Sequence, residues 1–167
     1  AEPRDPLNGG GGLVVTPGHG TRTLGALCGN LPGIYIGVCP TVPVVPYRVS
    51  DDSLINSRSV RAIGKAIMHA IDQNGCRLVA ISLGFPVVAS GEMGAAIDYA
   101  YGKGVLVIAA CGQMTDKICY PAKHRRGFGI GGVKRLASGF REYYPYESYS
   151  RVDIFAPADP IERADAD

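Results

Sequence analysis

The amino-acid sequence predicts an α/β fold in which a parallel sheet is flanked by helices. Strand-like and helix-like segments alternate along the middle of the chain, which is typical of parallel strands joined by helical crossovers. Two strand-like segments, residues 78–81 and 105–110, are apolar throughout, as strands buried on both faces are. With 167 residues and 46% hydrophobic side chains, the chain is long enough to bury one core. We therefore expect one domain over residues 17–157, between a flexible loop at residues 1–16 and a tail at residues 158–167.

The clearest helix lies over residues 57–74. Asn56 or Ser57 can cap its start, and Asn74 with Gly75 ends it. Its apolar residues recur at intervals of three to four and form one face: Val60, Ile63, Ile67 and Ile71. The opposite face is charged and is expected to meet solvent: Arg58, Arg61, Lys65 and Asp72.

A second helix is predicted from about Gly91 to Tyr101, between the two apolar strands. Its buried side is expected to comprise Met93, Ala96, Ile97 and Ala100. Residues 42–49 are rich in valine and predict a strand, although Pro43 and Pro46 interrupt its hydrogen-bond ladder. Residues 128–133 and 152–155 predict two further short strands.

Composition and charge exclude several classes of function. The net charge is +2 and no basic stripe alternates with aromatic residues, so we expect no nucleic-acid partner. No apolar run approaches the roughly 20 residues of a membrane-spanning helix, so we expect no membrane span. The five cysteines show neither a CxxC pair nor a zinc-ligand spacing, which predicts no metal site and no cofactor, and most of them read as small buried hydrophobes. The basic run Lys123-His124-Arg125-Arg126 is interpreted as a solvated loop, and His69 as a packing or surface residue.

Two loops leave the carboxyl ends of the apolar strands, where parallel sheets bind their ligands. One is Ser82-Leu83-Gly84-Phe85-Pro86 and the other is Cys111-Gly112-Gln113-Met114. Because adjacent parallel strands end at the same edge of a sheet, the two loops are candidate walls of a binding site.

A histidine between two glycines stands at the start of another helix-like run, in Pro17-Gly18-His19-Gly20-Thr21. Histidine is the residue type whose unperturbed pKa lies near neutrality, which suits a general base, and the two glycines leave little side-chain bulk around the imidazole. Taken alone, these five residues favour a simple turn residue, and the rest of the chain changes that preference.

Seven motifs in order resemble segments of the subtilisin-like serine proteases. They are His19-Gly20-Thr21 with Gly25; Gly37-Val38-Cys39-Pro40 leading into Pro46-Tyr47-Arg48-Val49; Ile81-Ser82-Leu83-Gly84; Val107-Ile108-Ala109-Ala110-Cys111-Gly112-Gln113; Tyr120-Pro121-Ala122; Gly129-Ile130-Gly131-Gly132-Val133; and Val152-Asp153-Ile154-Phe155-Ala156-Pro157. Each motif is weak by itself, but seven in register over about residues 17–157 make a chance match a poor explanation. The resemblance implies an incomplete subtilisin-like three-layer fold and peptide hydrolysis through an acyl-enzyme.

The resemblance also implies roles for particular residues. His19 is similar to the catalytic histidine, and Gln113 stands where the family has the asparagine of the oxyanion hole. The implied substrate-binding residues are Ser82, Leu83 and Gly84 on one wall and Ala109, Ala110, Cys111 and Gly112 on the other. Residues 82–84 would pair with a peptide or protein substrate as an added strand. Met114 and Cys119 would line the bottom of the pocket. Cys119 in place of a smaller residue would make the pocket shallow and favour small apolar side chains of the substrate.

The sequence departs from the family pattern at three places. The family order is aspartate, histidine, serine, yet only Glu2 and Asp5 precede His19, and neither lies in a strand-like stretch. The nucleophile is expected after residues 152–157, and residues 158–167 contain no serine. Gln113 carries its amide on a stem one methylene longer than asparagine. This is either a tolerated variant or a sign of weakened selection for catalysis, and the intact frame of residues 109–112 favours the first.

We predict a serine endopeptidase represented by a partial catalytic domain. The alternatives are a non-catalytic pseudoprotease or peptide-binding module and, third, a plain α/β domain in which the His19 motif is coincidental. The family leaves calcium open as a ligand, but no acidic cluster matches a site, and Asp51-Asp52 is more simply a turn. The family weakly favours a secreted or extracytoplasmic location. Uncovered sheet faces in a partial domain predict self-association.

Overall fold

A computed structural model of the chain describes residues 18–33, 35–50, 57–84, 91–112, 116–139, 141–143 and 152–158. These residues divide into two units. One unit comprises Ala1–Arg48 with Pro160–Asp167, and the other comprises Val49–Asp159. The predicted loop at residues 1–16 and nearly all of the predicted tail at residues 158–167 lie outside the described residues.

The first unit begins with helix α1, His19–Cys28, followed by the short antiparallel strands β1, Asn30–Leu31, and β2, Tyr35–Ile36. After β2 the chain returns along the end of α1. There the Cys39 N–H donates to the Leu27 carbonyl at 2.7 Å and the Val38 N–H donates to the Ala26 carbonyl at 3.1 Å. These bonds satisfy carbonyls that the end of a helix would otherwise leave without partners.

The predicted strand at residues 42–49 is wrong. The structure describes all eight of these residues and places no continuous strand among them. Pro43 and Pro46 supply no N–H, so a ladder through this run would lack two of its donors, and the valines alone do not compensate.

The second unit contains the two predicted helices. Helix α2 is Ser57–Asn74 and helix α3 is Gly91–Gly102. The predicted buried residues of α3 are confirmed, because Met93, Ala96, Ile97 and Ala100 are each 0% exposed. On α2, Val60, Ile63 and Ile67 are buried, and the four charged residues of the opposite face are exposed. The amphipathic pattern therefore identified which faces of these helices meet the core.

Within the described residues, five strands of the second unit form one sheet. They are β3, Leu78–Ile81; β4, Leu106–Ala110; β5, Phe128–Arg135; β6, Arg141–Tyr143; and β7, Ile154–Pro157. Strand β4 lies between β3 and β5 and is parallel to both, and β7 is parallel to β5. The predicted parallel sheet is confirmed. The sequence did not predict that β6 is antiparallel to β5, that β5 extends to Arg135, or that β7 begins two residues later than expected.

Helices α2 and α3 pack against one face of this sheet. Val107 of β4 is buried with the apolar side chains of both helices, and Val79 and Ile81 of β3 pack against the same cluster. On the other face Leu78, Leu106 and Ile154 are 54%, 44% and 52% exposed, and Leu78 pairs with Leu106 in register. The described residues thus supply two layers, a sheet and the helices on one of its faces. No helix that the structure describes is long and apolar enough to cross a membrane.

Candidate functional site

The two predicted walls follow β3 and β4 and lie side by side at the carboxyl ends of these strands. Ile81 pairs with Ala109 in parallel register, so residues 82–84 and 111–112 leave the sheet side by side. Strand β3 is the end strand of the described sheet. Ser82 and Gly84 are exposed, and Leu83 is half-buried.

Cys119 joins the two walls. A Cβ atom placed on Gly84 would lie 2.8 Å from the Cys119 Cβ, and one placed on Gly112 would lie 2.7 Å from the Cys119 Sγ. Both distances are far shorter than a van der Waals contact, so only glycine fits beside this thiol at either position. Gly112 also has a φ of +95°, which disfavours any side chain. The structure therefore brings Gly84, Gly112 and Cys119 into one close contact at the strand ends.

The β4 wall alternates between core and surface. Ala109 and Cys111 are 1% and 0% exposed and pack with Ile118 and Ala122, whereas Ala110 and Gly112 are half-buried. Backbone bonds hold the wall at Cys111, whose N–H donates to Ile130 at 2.9 Å and whose carbonyl accepts from the Cys119 N–H at 2.8 Å. The surface of this wall is thus made by Ala110, Gly112 and the backbone between them.

The two thiols near the strand ends are poor nucleophiles. Burial, with smaller contributions from the nearby Asp153 carboxylate and Cys119, raises the pKa of Cys111 to about 11. Burial also raises the pKa of Cys119. Both thiols are therefore protonated near neutral pH, and a thiol reacts only through its thiolate. All five cysteines are free. Only Cys111 and Cys119 are buried, so the interpretation of most of the five as small buried hydrophobes is wrong.

His19 is the first residue of α1 and is exposed. The residue before it, Gly18, has an extended backbone and accepts the Arg22 N–H at 3.3 Å. Added Cβ atoms on Gly18 or Gly20 would meet no described heavy atom within 4 Å. His19 belongs to the first unit, and the two walls belong to the second. Gln113 and Met114 lie outside the described residues.

One group of polar residues was not identified from the sequence. Asp98 of α3 accepts a hydrogen bond from Arg126 Nη1 at 2.9 Å, and the His124 Nε2 lies 3.9 Å from the same carboxylate oxygen. The Arg126 guanidinium lies over the Tyr101 ring, 4.9 Å from its centroid. The basic run at residues 123–126 is therefore not simply a solvated loop, because two of its side chains are held against α3. Its sequence carries no signal of this, since the partners lie 25 or more positions away.

The described residues contain no group of three or more histidine, cysteine, aspartate or glutamate side chains that could hold a metal ion.

The chain is thus an α/β protein with a parallel sheet, and its candidate ligand site lies at the carboxyl ends of two adjacent strands. The Subtilase family matches this chain over residues 14–166. The chain belongs to the subtilase family of serine proteases, as the seven motifs predicted.

Individual relatives agree with this assignment. The chain is 33% identical to thermitase of Thermoactinomyces vulgaris over 146 residues, covering 84% of this chain and 49% of thermitase. It is 32% identical to Subtilisin Savinase of Lederbergia lenta, covering 84% of this chain and 50% of that protein. Among solved structures, Sphericase superposes with a TM-score of 0.62 at 26% identity, covering 74% of this chain and 46% of Sphericase. The chain thus spans about half the length of the curated relatives that it matches.

Proposed function

We propose that the protein is a subtilisin-like serine endopeptidase and that this chain supplies part of its catalytic domain. Membership of the subtilase family and similarity to thermitase and the subtilisins support the proposal. The structural observation that carries it is the contact of Gly84, Cys119 and Gly112 at the carboxyl ends of two adjacent parallel strands. The carboxyl ends of parallel strands are where such a sheet presents loops and backbone groups to a ligand.

In the proposed reaction a serine attacks the carbonyl of the scissile peptide bond and forms an acyl-enzyme. His19 accepts the proton of the serine and returns it to the leaving amine, and an aspartate orients the imidazole. The Gln113 amide donates to the developing oxyanion, for which the donor must lie about 2.7–3.1 Å from the transition-state oxygen. We assign neither the nucleophile nor the aspartate to a residue of this chain.

The proposed substrate is an extended peptide that pairs with the backbone of residues 82–84. Main-chain pairing gives affinity with little sequence preference, so selectivity depends on the pocket for the side chain before the cleaved bond. Cys119 fills the space between Gly84 and Gly112, which makes this pocket shallow. We therefore expect alanine-sized or valine-sized side chains to be preferred to aromatic ones. The similarity to the subtilisins favours a secreted or extracytoplasmic location, which we include in the proposal.

A second candidate function is peptide binding without catalysis. It is favoured by one observation: the wall at residues 82–84 directly follows β3, the end strand of the described sheet, and addition of a peptide strand there requires no nucleophile. A pseudoprotease that retained this edge would bind extended peptides and leave them intact.

Intact mass and reaction with a fluorophosphonate probe distinguish these functions, because the probe labels only an activated serine. The endopeptidase proposal expects labelling of the natural protein and its loss in His19→Ala. His69→Ala is the matched control, since His69 is an exposed histidine on α2, and labelling should be retained. An intact mass equal to these 167 residues with no labelling would contradict the endopeptidase and leave peptide binding to be measured by calorimetry. Labelling that survives His19→Ala would contradict the role of His19.

A further inference from the structure

The segment that carries Cys119 is a compact set of turns. The Lys123 N–H donates to the Cys119 carbonyl at 2.9 Å, the His124 N–H to the Pro121 carbonyl at 2.9 Å, and the Gly127 N–H to the His124 carbonyl at 2.9 Å. A Cβ atom on Gly127 would lie 2.9 Å from the Pro121 oxygen, so the two ends of the segment are in close contact. Because residues 119–127 are linked in this way, a restraint on one end is transmitted to the other.

The carboxyl-terminal end of this segment is fixed to helix α3 through one carboxylate. Asp98 Oδ1 accepts the 2.9 Å bond from Arg126 and faces the His124 Nε2 at 3.9 Å. The His124 imidazole itself accepts the Arg126 N–H at its Nδ1, 3.3 Å away. The His124 side chain is 14% exposed, and those of Arg126 and Asp98 are 35% and 38% exposed. Partial burial limits solvent screening of the ion pair, and the charged partners strengthen the hydrogen bond.

The amino-terminal end of the segment is Cys119, which lies between Gly84 and Gly112. Core packing also holds this end, since Ile118 and Ala122 are 6% and 1% exposed. That packing fixes the depth of the segment in the core. Asp98 adds a lateral restraint from α3, an element that contributes no residue to either wall.

We propose that Asp98 is a positioning residue that holds Cys119 between the two walls, by anchoring Arg126 and His124 to α3. This assignment rests on the proposed function, because it takes the contact of Gly84, Cys119 and Gly112 to be the floor of a substrate pocket. Asp98 contacts neither wall, so it acts only through the segment. Loss of its carboxylate allows the segment to move outward and exposes the thiol of Cys119.

The test is the alkylation rate of each cysteine in the natural protein, measured by iodoacetamide labelling and peptide mapping. For a buried thiol this rate reports how often the surrounding structure opens. Asp98→Ala should raise the rate at Cys119 by about two- to fivefold, as expected for the loss of a partly exposed ion pair. The rate at Cys111, which is 0% exposed and lies nearby in the core, should change less than about twofold.

Asp72→Ala is the matched control. Asp72 is a helical aspartate of α2 that accepts the Tyr99 hydroxyl at 2.7 Å, so its loss also removes one surface bond between helices. This control should leave the Cys119 rate unchanged. Arg126→Gln should reproduce the effect of Asp98→Ala, and the double variant should exceed neither single variant, because both remove the same ion pair.

An unchanged Cys119 rate in Asp98→Ala would overturn the proposal, and so would a parallel rise at Cys111, which indicates general destabilisation. A rise in the Asp72→Ala control would overturn it in the same way. Alkylation requires no catalysis, so absence of fluorophosphonate labelling would refute the endopeptidase while leaving this result standing.

Discussion

Replacement of Gly112 by alanine tests the central contact of the candidate site. The added Cβ atom would lie 2.7 Å from the Cys119 Sγ and 3.5 Å from the Cys119 Cβ. The backbone φ of +95° adds an independent penalty, because L-residues with side chains rarely adopt it. Gly112→Ala therefore combines conformational strain with overpacking against a single named atom.

The two penalties can be estimated separately. Left-handed backbone costs a residue with a side chain about 1–2 kcal/mol. Overpacking in a closely packed region costs about 1–3 kcal/mol. We therefore expect Gly112→Ala to lower the free energy of unfolding by about 2–5 kcal/mol, a large fraction of the stability of a typical domain.

Urea denaturation of the variants in a double-mutant cycle of Gly112→Ala and Cys119→Ala separates the strain from the overpacking. In a Cys119→Ala background the Sγ is absent and the nearest remaining atom, at 3.5 Å, is an ordinary contact. The cost of Gly112→Ala should fall there to the strain alone, about 1–2 kcal/mol. Gly104→Ala is the matched control, since Gly104 has a φ of +71° and open space around its Cβ position in the described structure. Its cost should equal the strain alone in both backgrounds.

Gly84 provides an internal check on the geometry. Its added Cβ atom would lie 2.8 Å from the Cys119 Cβ, so Cys119→Ala should give no relief and only Cys119→Gly should. The reasoning would be refuted if Gly112→Ala cost no more than Gly104→Ala, or if its cost were the same with and without the Cys119 thiol. Either outcome would mean that Cys119 does not lie between the two walls.

Three further predictions follow from the structure. Ile97→Ala should destabilise the protein by about 2–5 kcal/mol in urea denaturation, because Ile97 is 0% exposed, whereas Met68→Ala, at a residue 43% exposed, should cost much less. Asp72 raises the pKa of Tyr99. Tyr99→Phe should therefore lower the free energy of unfolding by its full amount below pH 10, and this loss should vanish as the pH rises through the Tyr99 pKa. A loss of stability that is unchanged at high pH would contradict this reasoning. If the protein cleaves peptides, Cys119→Gly should raise kcat/KM for phenylalanine before the cleaved bond, relative to alanine, by about tenfold or more, and an unchanged ratio would place Cys119 outside the pocket.

The helices and the parallel strands were predicted from local patterns. The spacing of Val60, Ile63 and Ile67 identifies a buried helical face, since any helix with this period presents these residues to one side. The apolar runs of β3 and β4 likewise predict strands, and their alternation with helices predicts parallel pairing. Residues 42–49 show the limit of this approach, because β-branched residues favour a strand while two prolines remove its donors, and composition does not decide between them.

The sequence by itself determined the family and the layer of helices on a parallel sheet, and it predicted the strand ends as the place for a ligand. These follow from local periodicity and from motif order, which are both properties of the chain as written. Tertiary structure alone decided that a side chain at Gly84 or Gly112 would collide with Cys119, and that Asp98 accepts a bond from Arg126 and faces His124. Both arrangements join residues that are far apart in sequence, and their consequences depend on distances of a few ångströms. Steric exclusion and ion pairing act at that range, so only the folded chain specifies them.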